Sequence, residues 1–350
     1  MLAGLAVWAV HRRSAPAGPD RAASSARQAT GTSLGTPARG PVDGAAPSVG
    51  AVVPLTSVTV EDLGQLLPKA LVGTAAATVG GRILIFGGSG PAGFNATIYA
   101  FSPGTNGAGA RITADGQLPL ALHDAGAAPA GNDVLLCGGG QSVGSTAVYR
   151  ASPVGGTATL AGRLPQPLSD LEGVESAGRP YCLGGWTGTA YSDAVYDLGG
   201  WGGASPPPVT AHLALAVRYS AAVALPGGVL VAGGRTAQGA TADVQWVPLG
   251  AGARTTAVVG RLARPLEYAS GAALDGTALI IGGCDAAGVP TSAVLAVDKR
   301  GTVTPVGRLP TGLCYGSAAA VGGAVYLFGG ETAGALASDH VWRIVSAPAP

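Results

Sequence analysis

Short apolar runs ending in paired glycines recur along the chain: ILIFGG, VLLCGG, PYCLGG, VLVAGG, ALIIGG and VYLFGG. Their first glycines are Gly87, Gly138, Gly184, Gly233, Gly282 and Gly329, separated by 51, 46, 49, 49 and 47 residues. An apolar run of this length, bounded by turn residues, reads as a buried strand. Downstream of each pair stands a second run rich in β-branched and aromatic residues: TIYAFSP, AVYRASP, AVYDLGG, DVQWVPLG, AVLAVDK and HVWRIVS. A turn then precedes the next copy, written GQLLP at 64–68, GQLP at 116–119, GRLP at 162–165, GRLA at 260–263 and GRLP at 307–310. Small-residue strands such as YSAAVAL, YASGAAL and YGSAAAV fill the space between that turn and the Gly-Gly strand. Each unit therefore holds four successive strands, and the pattern predicts an all-β fold of six repeated sheets.

One copy carries a competing signal. In RILIFGGSGPAGFNATIY, Gly88, Gly90 and Gly93 fall at the G-x-G-x-x-G spacing of a dinucleotide site, with Asp115 where such folds keep a ribose-binding acid. That motif binds phosphate only where a helix starts at the glycines. The next residues are FNATIYAFSP, another strand pattern that breaks at Pro103. Because the glycine pair recurs in all six units, the motif reads as repeat grammar.

A period near fifty with four strands and a paired glycine resembles the kelch repeat, over roughly residues 56–346. The chain is similar to the galactose oxidase-like central-domain superfamily, in a bacterial membrane-tethered form. The resemblance implies a six-bladed β-propeller of four-stranded antiparallel blades. It departs from the kelch pattern in lacking, in most units, a tryptophan after the third strand. A propeller also has to join its ends, since an open ring leaves unpaired edges. The last unit supplies only three strands before SAPAP, so residues 56–62 are expected to form its outer strand, beside Val341–Val345.

The composition fits a folded, turn-rich chain: 59 glycines and 26 prolines in 350 residues, yet 47% hydrophobic. Net charge is +1 and only 11% of residues are charged, which leaves no basic face for nucleic acid. MLAGLAVWAV followed by HRR is too short to cross a bilayer, because ten residues at about 1.5 Å rise do not span about 30 Å. Residues 1–13 read as part of an anchor or signal segment, or as a disordered terminus. Residues 14–50, almost without large apolar side chains, read as a disordered linker, and 51–346 as the propeller. That layout predicts a monomer that is membrane-anchored through the N-terminus only and extracytoplasmic, or a secreted protein.

Of four cysteines, none has C-x-x-C spacing, so no zinc site is expected. Cys284 follows the fifth glycine pair and Cys314 opens the sixth innermost strand, and the repeat geometry predicts a disulfide between them. Cys137 and Cys182 are expected on opposite sheet faces of adjacent blades; they either meet across the interface or are buried thiols, the latter being the simpler expectation.

Counting fourteen residues back from each first glycine lands on Gly73, Asp124, Asp170, Tyr219, Tyr268 and Tyr315. His123, Ser169, Arg218, Glu267 and Cys314 stand just before five of these, and the loops after Gly-Gly add Trp186, Arg235, Asp285 and Glu331. In kelch propellers ligands meet this face, so the resemblance implies a ligand-binding set of His123, Asp124, Asp170, Trp186, Arg218, Tyr219, Arg235, Glu267, Tyr268, Asp285, Tyr315 and Glu331. Polar residues at strand starts also line solvated channels without any ligand. Galactose oxidases place two tyrosines and two histidines on copper; here the histidines are His11, His123, His212 and His340, and only His123 falls at the mouth. No metal, cofactor or complete catalytic set is expected. The arginine triad and Asp-box loops of sialidases are missing from the sequence. A six-bladed kelch protein can also be a sialic acid mutarotase, and His123, Asp124, Arg218 and Glu267 offer acid and base groups for such a reaction. The leading expectation is a non-enzymatic scaffold at the cell envelope, holding a peptide, glycan or partner protein at the propeller mouth. The alternative is a carbohydrate-active enzyme of mutarotase or epimerase type at the same mouth.

Overall fold

The computed structural model describes residues 55–105, 108–250 and 255–347. The expected anchor and linker lie outside these residues. Among the described residues every regular element is a strand. No helix there is long and apolar enough to cross a membrane.

Six antiparallel four-stranded sheets follow one another as predicted. Blade one is Val72–Val79, Arg82–Gly90, Thr97–Ser102 and Arg111–Gln117, and blade two is His123–Ala130, Asp133–Gly140, Ser145–Ala151 and Thr159–Leu168. Blade three is Glu172–Ser176, Arg179–Leu183, Ala194–Asp197 and Val209–His212, and blade four is Ala221–Leu225, Gly228–Ala232, Asp243–Pro248 and Ala257–Arg261. Blade five is Ser270–Leu274, Thr277–Ile281, Ala293–Val297 and Val303–Arg308. Blade six has Ser317–Val321, Ala324–Phe328 and His340–Ser346, and takes its outer strand, Val58–Gln65, from the other end of the chain.

The molecule is thus a six-bladed β-propeller, closed by its N-terminal strand. The closing strand lies slightly further along than 56–62. It pairs antiparallel from Val58↔Ser346 through Glu61↔Arg343 to Gln65↔His340. Alternation sets that register: Val58 and Val60 join the apolar cluster between blades five and six.

The core is divided among the seams. Among the described residues six apolar clusters occur, one between each pair of neighbouring sheets, including the pair formed by blades six and one. The stretch around Gly88 turns back as a hairpin, with Ser89↔Phe94 and Gly90↔Gly93 paired, so no helix N-terminus is offered to a phosphate.

The paired glycines have a specific cause. A Cβ on any first glycine would come closer than 3.0 Å to a carbonyl of the segment leading into the next blade: Leu122, Leu168, Val217, Leu266, Leu313 or, for Gly329, Leu71. All six also have positive φ, between 58° and 70°. In blades one, three, four, five and six the second glycine donates its N–H to that same carbonyl, as in Gly88 to Leu122 at 2.8 Å, Gly234 to Leu266 at 2.7 Å and Gly330 to Leu71 at 2.8 Å. The glycine pair is therefore the joint between blades, which is why it recurs whatever stands in the loops.

Both pairs of cysteines are disulfides. Cys284–Cys314 joins blades five and six as expected, with Cα atoms 5.4 Å apart. Cys137–Cys182 joins blades two and three at 6.6 Å. The buried-thiol expectation for that pair is corrected: both sulfurs lie in the one apolar cluster that fills this seam.

Candidate functional site

The six positions found by counting back share one backbone state. Gly73, Asp124, Asp170, Tyr219, Tyr268 and Tyr315 all have φ between 55° and 62°. Amides run from blade to blade around the axis: Asp170 N–H donates to Asp124 O at 2.8 Å, Tyr219 to Asp170 at 3.3 Å, Tyr268 to Tyr219 at 2.8 Å, Tyr315 to Tyr268 at 3.0 Å and Gly73 to Tyr315 at 2.9 Å. A non-glycine residue in the left-handed region costs roughly 1–3 kcal/mol. Blade one reaches the same geometry with glycine. The other five blades keep two aspartates and three tyrosines here against that cost.

These side chains surround an axial cavity of about 120 Å³. One half of its wall is acidic, made by Asp124, Asp170 and Glu172; the other is the tyrosine stack. The Tyr219 and Tyr268 rings are 3.8 Å apart between centroids and those of Tyr268 and Tyr315 are 3.5 Å apart. Burial raises the phenols of Tyr219 and Tyr268 well above their usual range, with help from Asp170 and Tyr315 respectively, so both stay neutral. Glu172 was not anticipated. Burial, then the charge of Asp124, pushes its carboxyl up to about 8.

Beside the axis a larger cleft of about 550 Å³ opens on the mouth. Its walls come from three blades: His123 and the 140–144 loop of blade two, Ser169, Asp170 and the 186–188 loop of blade three, and Arg218 of blade four. The volume lies within the range of small-molecule sites. Asp170 borders both the cleft and the axial cavity. Burial, and next the charge of Asp124, raises its carboxyl to about 7 against the opposing pull of Arg218 and His123.

Arg218 is clamped in place. Its guanidinium lies 4.8 Å from the Trp186 ring, 5.6 Å from Tyr191 and 4.5 Å from Tyr219. Its Nη1 donates to Asp170 Oδ2 at 3.3 Å, and its side chain is only 9% exposed. Its Nε is buried with no hydrogen-bond partner. The guanidinium, which carries five donors in a fixed fork, borders the cleft.

His123 is spent differently. Its Nε2 lies 3.0 Å from the Gln141 carbonyl, which only accepts, so Nε2 carries a proton. Its Nδ1 lies 2.5 Å from Asp124 Oδ2. Burial works against the charged ring, but Asp124, that hydrogen bond and the Gln141 carbonyl outweigh it and raise the pKa to about 9. Phe94 of blade one stacks on the ring at 5.2 Å. Both nitrogens are therefore committed, and His123 holds the 140–144 lip instead of facing a ligand as a base.

The remaining candidates take other places. Arg235 and Glu267 form a two-pronged ion pair between blades four and five, at 2.7 and 3.2 Å. Asp285 caps its own loop, accepting from the amides of Ala287 at 2.9 Å and Val289 at 3.0 Å. Glu331 is buried at the seam between blades six and one. Thus His123, Asp170, Trp186 and Arg218 converge on the cleft, and Asp124 and the three tyrosines on the axis. Arg235, Glu267, Asp285 and Glu331 line neither cavity. Gln141 and Tyr191 join the site from loops whose lengths vary between units, so no repeat register pointed to them.

The chain matches no family model and no curated protein. It superposes on the solved structure of YjhT with a TM-score of 0.67 at 14% identity, over 79% of this chain and 96% of that one. At that identity the likeness supports the propeller fold and nothing finer.

Proposed function

We propose that this protein is a non-enzymatic binding propeller at the cell envelope, and that its ligand is a glycan held in the mouth cleft between blades two, three and four. The observation that carries this is Arg218, clamped against Trp186 on the wall of a cleft of about 550 Å³. Sugar rings present an apolar face and a rim of hydroxyls. Trp186 matches the face, while Ser169, Gln141, Thr187 and Arg218 match the rim. Two of the acid–base candidates are already committed, His123 to Asp124 and Gln141 and Glu267 to Arg235, which favours holding over turnover. The two disulfides support an extracytoplasmic location.

One observation favours a second reading, a carbohydrate-active enzyme of mutarotase or epimerase type. Asp170, raised to about 7 on the cleft wall, is poised as a general acid or base near neutral pH. A glycan and peptide array probed with the purified ring separates the readings. Binding to glycans that weakens at least tenfold in Trp186→Ala supports the first. Interconversion of a bound sugar's anomers, lost in Asp170→Asn with binding retained, establishes the second. Peptide-only binding, or glycan binding indifferent to Trp186→Ala, removes the glycan assignment.

A further inference from the structure

The mouth ends of the seams obey a rule. At three seams the residue after the glycine pair reaches toward the next blade and meets the residue just before its left-handed position. Between blades three and four these are Trp186 and Arg218, in contact at 4.8 Å. Between four and five they are Arg235 and Glu267, an ion pair at 2.7 Å. Between five and six they are Cys284 and Cys314, a disulfide. At the seam of six and one, Glu331 and Val72 are both buried, 1% and 5% exposed. At the seam of one and two the residue after the pair is the small Ser89, and His123 is covered instead by Phe94 from the hairpin that follows. Different chemistries thus perform one task, sealing the rim.

The seam between blades two and three breaks the rule. The corresponding residues are Gly140 and Ser169, and both line the cleft. Gly140 has no freedom to change, because a Cβ there would collide with the carbonyl of Val143 in its own hairpin. Ser169 is therefore the tunable half of the pair. Deeper in the same seam the Cys137–Cys182 disulfide ties the two blades, so the opening is a fixed gap and not a parting of sheets.

We propose that this unfilled seam is the entrance and size filter of the ligand cleft, with Ser169 as the residue that determines specificity by what it leaves vacant. The identity of the ligand as a glycan rests on the proposed function; the filter does not. A ligand entering here passes Ser169, lies along Trp186 and ends at Asp170 and Arg218, all of which border the same cleft.

The test uses the full chain labelled with fluorotryptophan, with the Trp186 resonance assigned by Trp186→Phe. Two readouts are taken: the solvent-isotope shift of that resonance, which reports water reaching the cleft, and its perturbation by a panel of methyl pyranosides. Ser169→Phe is expected to abolish the isotope shift and weaken any pyranoside at least tenfold, with the other tryptophan resonances unmoved. Ser169→Gln, a smaller change, is expected to give a partial loss and decides the matter if the phenylalanine variant does not fold. A folded variant that keeps the full isotope shift and binds within twofold of the parent overturns the proposal. If Ser169→Phe closes the cleft but no pyranoside perturbs the parent, the entrance stands and the glycan assignment falls.

Discussion

Asp170 sits where the cleft meets the axial cavity, and its protonation ties the site to the stability of the fold. Its carboxyl rises from 3.8 to about 7, that of Glu172 from 4.5 to about 8, and the His123 imidazole from 6.5 to about 9. For each group the folded chain holds its proton at a pH where the unfolded chain has released it. Stability therefore falls as pH rises. The carboxyls act from about 4 to about 8, and the contribution of charged His123 is complete below 6.5 and lost through about 9. Calorimetry should show a melting temperature lower at pH 9 than at pH 5, by about 2–5 °C for a domain of this size. Asp170→Asn and Glu172→Gln should each flatten that slope; a melting point that climbs toward pH 9 would refute the assignment. Sequence counting found Asp170 because the repeat fixes where each innermost strand begins. Glu172 was readable by the same register: the equivalent residues are Ala75, Gly126, Ala221, Ser270 and Ser317, and Glu172 is the one ionisable group among them. What counting could not supply is partnership. Asp285 and Asp170 look alike as mouth carboxylates in the sequence, yet one caps its own loop and the other borders two cavities.

At the level of the element, the glycine pair separates two costs that usually come together. Gly322 has φ of 61° and nothing within 4 Å of a would-be Cβ, whereas Gly233, at 64°, would place its Cβ against Leu266 O. Gly322→Ala then carries only the left-handed strain, about 1–2 kcal/mol. Gly233→Ala adds a collision with the backbone leading into blade five, for a total of about 3–5 kcal/mol. Urea unfolding of the two variants measures the difference, and equal losses would show that the joint between blades tolerates displacement. The strands themselves were legible because burial alternates or saturates with the apolar pattern, and the joints because glycine repeats. The cleft was not, since it is made by what Gly140 and Ser169 lack, and a vacancy acquires meaning only beside the filled seams at Trp186–Arg218, Arg235–Glu267 and Cys284–Cys314.

A ring distributes its stability differently from a layered fold, because each blade depends on two neighbours and the last contact closes all the others. Here that contact is the pairing of Val58–Gln65 with His340–Ser346. The side-chain contacts across it, a hydrogen bond between His340 and Asp62 at 2.9 Å and an ion pair between Glu61 and Arg343 at 3.3 Å, are solvent-accessible, and such surface pairs contribute about 0–1 kcal/mol. The closure rests instead on the backbone ladder and on Val58 and Val60 entering the cluster between blades five and six. Removing the strand would uncover the edge of His340–Ser346, a template for pairing with another chain. A chain beginning at Leu66 should accordingly melt at lower temperature and self-associate, as seen by light scattering. A synthetic peptide of residues 55–65, added in excess, should restore both the melting temperature and the monomer by occupying the vacant edge. If the shortened chain melts with the full one, the blades are held by their seams alone and the shared sheet is dispensable. If it melts lower and the peptide rescues it, the closing strand acts as a separable ligand of the ring, and the geometry of the mouth, assembled from blades on both sides of the circle, depends on a pairing made at its outer rim.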